Sequence, residues 1–130
     1  MSTSDEIQKA LYERLTAFPA LAGVPVLDGP PADTPFPYIT FGPCDVQEDD
    51  ADCIDGEIHT QQIDVWTSSQ GQTLSAKVLC DHVKAALHKY DTDLGSVALC
   101  FMRVVSRRII SEPDGIGMHG IVNVQISVEI

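Results

Sequence analysis

Apolar residues recur at helical spacing near the start of the chain. The repeat is formed by Ile7, Leu11, Leu15 and Phe18. Thr3 and Glu6 precede it at the spacing of a capping box, in which each side chain caps the other residue's backbone amide. Pro19 ends the run, because its ring cannot continue a helix. The pattern therefore predicts a helix over residues 4–18.

A second helical repeat lies past the middle of the chain. Its apolar members are Leu74, Val78, Val83, Ala86 and Leu87. Ser69 and Gln72 stand before it as a second capping-box match. We therefore predict a second amphipathic helix over residues 70–89, with its apolar face turned to the same core.

The sequence predicts five strands, and the alternation of apolar and polar residues that is typical of a half-buried strand is cleanest in the last of them. They cover residues 24–27, 38–41, 57–66, 97–110 and 122–130. Residues 97–110 are apolar on both sides. This strand therefore either packs one side on helices and the other on a neighbour, or is central and covered on both faces. Four prolines within residues 28–37 indicate an ordered or extended loop.

The element order α-β-β-β-α-β-β predicts an α+β fold, in which two helices cover one face of a mainly antiparallel sheet of four or five strands. The chain has 130 residues, the size of one domain, here residues 1–130. The residues expected in the core are Ile7, Leu11, Leu15, Leu74, Val78, Val124 and Ile126. The first six residues are polar and acidic, and no apolar run is long enough to span a bilayer. We expect an intracellular protein without a transmembrane helix.

Charge is distributed unevenly along the chain. The formal net charge is −11. Residues 1–57 hold twelve acids and two bases, whereas residues 58–130 hold seven acids and six bases. Because Lys and Arg are the groups that bind phosphate backbones, this balance argues against tight non-specific binding to DNA. An excess of one sign also favours solubility.

An acidic stretch joins the second and third predicted strands, which together form a long hairpin. Its carboxylates include Glu48, Asp49, Asp50, Asp52 and Asp55. Counted from Asp50, position 12 is Gln61 instead of the Glu of an EF-hand loop, so a solvated hairpin tip is favoured over an adventitious cation site. Arg107 and Arg108 form the only basic doublet. The doublet is either a surface strand end or a salt-bridging contact to the acidic loop of another copy, and all seven residues are candidate inter-subunit or partner contacts.

Groups suited to catalysis or metal binding are poorly arranged. The cysteines are Cys44, Cys53, Cys80 and Cys100. They include no CxxC pair, and we expect buried free thiols. Cys80, His82 and His88 lie on one helix at spacings that do not converge on zinc. A nucleophilic Cys–His pair of distant residues stays open, but no phosphate-loop, metalloprotease or hydrolase motif is present. We expect no catalytic residue, cofactor or metal, and a core position for Trp66.

Four stretches follow a family pattern in order. They are residues 15–21 at the end of the first helix, 35–41 where prolines lead into an aromatic strand, 61–66 with the helix that follows, and the alternation at 121–130. In these the chain resembles the tail terminator (tail completion) family of long-tailed phages and gene transfer agents. Relatives often begin the last strand with basic residues, whereas Met118, His119 and Gly120 stand here. This difference weighs against a basic inter-subunit contact at that point.

The resemblance implies a structural protein and no enzymatic activity. Terminators of this kind form a hexameric ring on the end of the tail tube, stop its polymerisation and join it to the head-side connector or stopper protein. The implied partners are thus other copies of the chain, the tail tube protein and the connector, with DNA passing through the lumen without specific binding and no membrane involved. The protein would be found in the host cytoplasm during assembly and then in the neck or tail of the particle.

Two alternatives remain at this point. One is another head–tail neck component or minor tail protein, and the other is a small enzyme or metal-binding module. For the acidic segment 45–57 we expect mobility in the free protomer and order in the ring, because it has few apolar anchors of its own.

Overall fold

The chain folds into two helices and one five-stranded sheet in the predicted order. The computed structural model describes residues 2–130. Its elements are α1 (Thr3–Ala17), a short 3-10 turn (Pro19–Leu21), β1 (Val26–Leu27), β2 (Tyr38–Glu48), β3 (Gly56–Ser68), α2 (Leu74–Leu87), β4 (Ala98–Ser111) and β5 (Gly117–Glu129). The prediction of an α+β fold with this element order is confirmed.

The strands lie side by side in the order β1-β2-β3-β5-β4. Every neighbouring pair is antiparallel except β1 and β2, which pair in parallel over two residues. β5 lies between β3 and β4 and pairs with each of them over nearly its whole length. β4 is consequently an edge strand, and a central position for residues 97–110 is wrong.

One face of the sheet and both helices enclose a single apolar core. The strand side chains that face it include Ile63, Val65, Val122, Val124, Ile126 and Val128, all buried. They alternate along β3 and β5, and Ile63 lies opposite Val122, while Val124 and Ile126 lie opposite the buried side chains of Gln61 and His59. From α1, the predicted core residues Ile7, Leu11 and Leu15 are buried in the same cluster. The prediction that both helices cover one face is confirmed.

Two predicted core residues, Leu74 and Val78, instead face solvent, with exposed fractions of 70% and 40%. The side of α2 that meets the sheet carries the smaller residues Ala76 and Cys80, followed by Val83 and Leu87, all buried. Residues two positions apart on a helix point in nearly opposite directions. Burial of Ala76 and Cys80 therefore turns Leu74 and Val78 outward.

Both predicted capping boxes are wrong in detail. α1 is capped one residue earlier, where the Ser2 hydroxyl accepts from the Asp5 amide at 3.1 Å and the Asp5 carboxylate accepts from the Ser2 amide at 3.3 Å. The Ser69 hydroxyl donates to the Gln72 carbonyl in a turn before α2. α2 begins later than predicted, with Thr73 as an N-cap that makes no side-chain hydrogen bond.

Trp66 and three of the four cysteines do not occupy the core positions expected of them. Trp66 lies half-buried on the face of the sheet that carries no helix, where its ring stacks on His119 at 3.9 Å. Its indole Nε1 donates to the Thr40 hydroxyl. The cysteines are free thiols, but only Cys80 is buried, while Cys44, Cys53 and Cys100 are exposed.

Candidate assembly interface

The acidic segment is the outer end of the β2–β3 hairpin. The predicted strands end at residue 41 and resume at residue 57, but β2 continues to Glu48 and β3 begins at Gly56. Pairing with β3 holds residues 44–48 in the ladder, although every one of them is exposed. Among residues 2–130, no strand pairs with the outer side of β2 beyond Thr40, since β1 covers only Ile39 and Thr40. This side of β2 is therefore a free sheet edge.

The tip of the hairpin is closed by its own hydrogen bonds. Ala51 and Ile54 exchange backbone bonds of 2.9 and 3.0 Å across the turn. Below them the Asp49 amide donates to the Gly56 carbonyl, and the Gly56 amide donates to the Asp50 carboxylate at 3.0 Å. Asp50 is thus engaged in shaping the turn. Whether the segment is mobile in the free protomer stays a prediction.

Ile54 is the one large apolar side chain among residues 50–55. It is 44% exposed and has an acidic neighbour in Asp55, with Asp52 two residues before it. All of residues 50–55 are exposed. The hairpin tip therefore presents an apolar side chain between carboxylates.

The two candidate arginines lie on β4, at the opposite edge of the sheet. Arg107 forms an ion pair with Asp81 of α2. Within the part of the chain that the structure describes, Arg108 has no acidic partner, and it is exposed. Arg103, on the same strand, donates to the Gln125 amide oxygen at 3.0 and 3.2 Å and covers the Phe101 ring. The structure brings the arginines together on one edge but does not bring them near the acidic tip of the same chain.

The α2–β4 side of the molecule is basic. All six cationic residues of the second part of the chain lie on α2, on β4 or in the turn after α2: Lys77, Lys84, Lys89, Arg103, Arg107 and Arg108. Three of them, Lys77, Lys84 and Arg107, line one groove between α2 and β4. Because α2 and β4 are separate in the sequence, this grouping forms only in the folded chain. The arginine doublet is visible in the sequence because its two residues are adjacent, whereas the lysines join it only through the fold.

A groove of about 440 Å³ runs between α2 and β4. Its lining includes Lys77, Lys84 and Arg107, together with the apolar side chains of Val104, Val105 and Ile109. The pairing of β4 with β5 shifts register between Val104 and Ser106. A bulge of this kind changes the direction in which side chains point. Val105, which lies at the bulge, is 47% exposed.

A second exposed apolar surface lies at the other end of the sheet from the hairpin tip. Phe36 is 50% exposed, and it lines a groove of about 460 Å³ with Leu74, Val78 and Leu79. Ile116 is exposed in the turn that precedes β5. Monomeric proteins rarely expose clustered apolar side chains without an interaction to make. The residues misassigned to the core therefore form part of a surface.

The most concentrated polar cluster contains His119, at the position where the chain departs from the family pattern. Its Nε2 lies 2.7 Å from Asp64 Oδ1 and its Nδ1 lies 3.6 Å from Glu112 Oε1. The Gln62 amide also donates to the same Asp64 oxygen. These contacts connect β3, β5 and the residue that follows β4, and none of them involves a cysteine.

The remaining candidates for chemistry are dispersed. Burial raises the pKa of the Cys80 thiol to about 11, and the nearby Asp81 carboxylate adds to the effect. A thiol of this kind stays protonated and unreactive near neutral pH. Within residues 2–130 no three His, Cys, Asp or Glu side chains converge as a metal ion would require. Over the same range, no helix is long and apolar enough to cross a membrane.

Comparison with known proteins decides the family. A sequence model of the family described as tail completion protein gp17 matches residues 9–129. The chain belongs to the tail completion protein gp17 family. The predicted resemblance is thereby confirmed, and the family is one of structural tail proteins instead of enzymes.

Individual relatives cover nearly the same length as this chain. The tail completion protein gp17 of Bacillus phage SPP1 is 26% identical over 130 residues, which span 96% of this chain and 93% of the phage protein. A chain from the virion of a native gene transfer agent particle superposes with a TM-score of 0.87, at 23% identity, over 99% of this chain and 98% of that one. The structural match shows that the two share a fold.

Proposed function

We propose that this tail completion protein is a tail terminator, which forms a ring on the end of the tail tube, stops its polymerisation and joins it to the head-side connector. One observation carries the proposal. Among residues 2–130, no further strand pairs with either edge of the sheet, and the two edges carry opposite charge. At one edge β2 ends in an acidic hairpin, and at the other β4 lies within a basic surface. Such a protomer is built to bind its own copies edge to edge.

Heterologous contacts of this kind produce a closed ring when the rotation between neighbours closes. We propose that the acidic residues of one copy face the arginines of the next. The acidic partners are Glu48, Asp49, Asp50, Asp52 and Asp55, and the basic partners are Arg107 and Arg108. Arg107 lies beside α2, where it pairs with Asp81, and Arg108 is exposed next to it on β4. Six copies is the number that the resemblance to tail terminators implies.

Surfaces for the remaining partners, the tail tube protein and the connector, are expected at the ends of the sheet. The apolar surface around Phe36, Leu74 and Val78 lies at the end away from the hairpin tip. A component placed between a tube and a connector needs two dissimilar surfaces in addition to its ring contacts, and this surface supplies one of them. DNA would pass through the lumen without specific binding, since a copy with net charge −11 repels phosphates.

Tail length tests the proposal in the cells that produce the particles. In the test variant, residues 50–55 are replaced by Asn-Gly, a two-residue hairpin turn. Asp49 and Gly56 are retained because their backbones already pair. The matched control replaces Asp33 and Asp91 by Asn, which removes two carboxylates outside the hairpin. Tails are measured by negative-stain electron microscopy after the melting temperature of each variant has been checked.

We expect overlong tails from the hairpin variant, with near-normal melting, and normal particles from the control. Normal, head-joined tails from the hairpin variant would contradict the proposed role of the hairpin. Tails of normal length that lack heads would favour the alternative, a neck component that acts after the tube has been capped.

A further inference from the structure

We propose that the tip of the hairpin, residues 51–55, docks in the α2–β4 groove of a second copy, with Ile54 on the apolar floor of the groove. The inference rests on the proposed ring, and it identifies the surfaces through which neighbouring copies bind each other. The occupant is thus a segment of an identical chain, and the contact repeats from copy to copy around the ring.

The groove offers an apolar floor below a basic rim. Val105 and Ile109 supply apolar surface, and the bulge in β4 leaves Val105 47% exposed. Lys77, Lys84 and Arg107 line the same groove, against the single carboxylate of Asp81. An occupant that matches this lining carries an apolar side chain with carboxylates beside it.

The hairpin tip has this chemistry. Ile54 is 44% exposed, and Asp52 and Asp55 stand on either side of it in sequence. The paired backbones of Ala51 and Ile54 hold the turn in one shape. A segment with internal hydrogen bonds loses less conformational freedom when it docks than an open loop would.

The tip cannot fill the groove of its own chain. It lies at the end of β2 and β3, whereas the groove lies on the far side of β5 along β4. The contact is therefore between copies and uses two different surfaces of each protomer. This is the heterologous arrangement that a ring requires.

A native cysteine makes the contact testable. Cys53 is exposed in the tip next to Ile54, and Val105 is exposed in the lining of the groove. The test protein carries Val105→Cys in a background with Cys44→Ser and Cys100→Ser. Tails purified from producing cells are treated with a short bismaleimide and analysed by denaturing electrophoresis. The matched control carries Ser4→Cys, on exposed α1, in the same background.

We expect covalent dimers and higher multiples of the chain with Val105→Cys, at a yield roughly tenfold above that of the Ser4→Cys control, because docking raises the effective concentration of the two thiols. Lys77→Cys, on the α2 side of the same groove, gives the same readout in this background if the Val105→Cys protein fails to fold. Correctly terminated tails with cross-linking no greater than the control would overturn the inference and leave the proposed ring standing. Absence of the unaltered chain from tail ends would overturn both.

Discussion

At the scale of single residues, the contact between Gly120 and Cys80 sets how closely α2 approaches the sheet. A Cβ atom on Gly120 would lie 2.4 Å from the Cys80 sulfur and 3.2 Å from Val65 Cβ. Both neighbours are buried side chains in the apolar core, so neither can move aside freely. The side of α2 that carries Ala76 and Cys80 can therefore face β5 only because position 120 is a glycine.

Gly120→Ala tests this contact. We expect the free energy of unfolding to fall by ~1–3 kcal/mol, as for other substitutions that overfill a core, measured by urea denaturation. Gly117→Ala is the matched control on the same strand, because its added Cβ would meet only contacts of 3.4 and 3.5 Å. In a double-mutant cycle, Cys80→Ala should relieve part of the loss caused by Gly120→Ala. Equal stability of the two alanine variants would show that α2 does not approach the sheet so closely.

At the scale of elements, α2 shows why the core was only partly predictable. The sequence indicated a helix from the spacing of its large apolar residues, and the helix is present. Its buried side, however, is chosen by close packing against β5, which favours Ala76 and Cys80 over Leu74 and Val78. Hydropathy ranks leucine above alanine, so it selects Leu74 and Val78, although Val83 and Leu87 are selected correctly.

Two leucines at the ends of α2 make this distinction measurable. Leu87 is fully buried and Leu74 is 70% exposed. Leu87→Ala should lower the free energy of unfolding by ~2–5 kcal/mol, because it leaves a cavity. Leu74→Ala should change it by no more than ~0.5 kcal/mol, as at other surface positions. Comparable losses for both variants, measured by thermal and urea denaturation, would place Leu74 in the core after all.

The strands were more predictable than their lengths. Alternation locates the last strand most clearly, because a half-buried strand has the same period wherever it occurs, whereas residues 97–110 are predicted as a strand although they are apolar on both sides. Residues 42–48 lack that alternation and nevertheless continue β2, since β3 pairs with residues 44–48 beyond an irregularity at Gly42 and Pro43. The position of β4 at the edge depends on which strands pair, and pairing between strands that are distant in sequence leaves no local signal.

At the scale of the whole molecule, charge is separated across the sheet. Acidic residues concentrate on the hairpin, while the cations of the second part of the chain gather on α2 and β4. The acidic half of the proposed interface could be predicted from the sequence, because its residues are consecutive. Lys77 and Lys84 could not, because they approach Arg107 only in the folded chain.

This separation predicts how association of the free protein depends on salt. Copies that each carry −11 repel one another, and at ~0.01 M salt that repulsion extends over ~30 Å. At ~0.15 M it extends only ~8 Å, which screens whole molecules from each other but leaves ion pairs in contact. The protein should therefore be mostly monomeric at low salt and associate more at physiological salt. At ~1 M, where screening acts within ~3 Å, association should weaken again as the ion pairs are lost.

Sedimentation velocity at the three salt concentrations measures this dependence. The matched variant carries Asp52→Asn and Asp55→Asn, which retain the shape of the side chains and remove the charges that we place against the basic groove. Its association at physiological salt should be weaker than that of the unaltered protein, although its lower net charge reduces the general repulsion. If the variant associates more strongly, repulsion between hairpins dominates and no attractive contact is made by these carboxylates. A steady rise of association up to ~1 M salt in the unaltered protein would likewise contradict an ionic contact, since an apolar interface alone persists at that ionic strength.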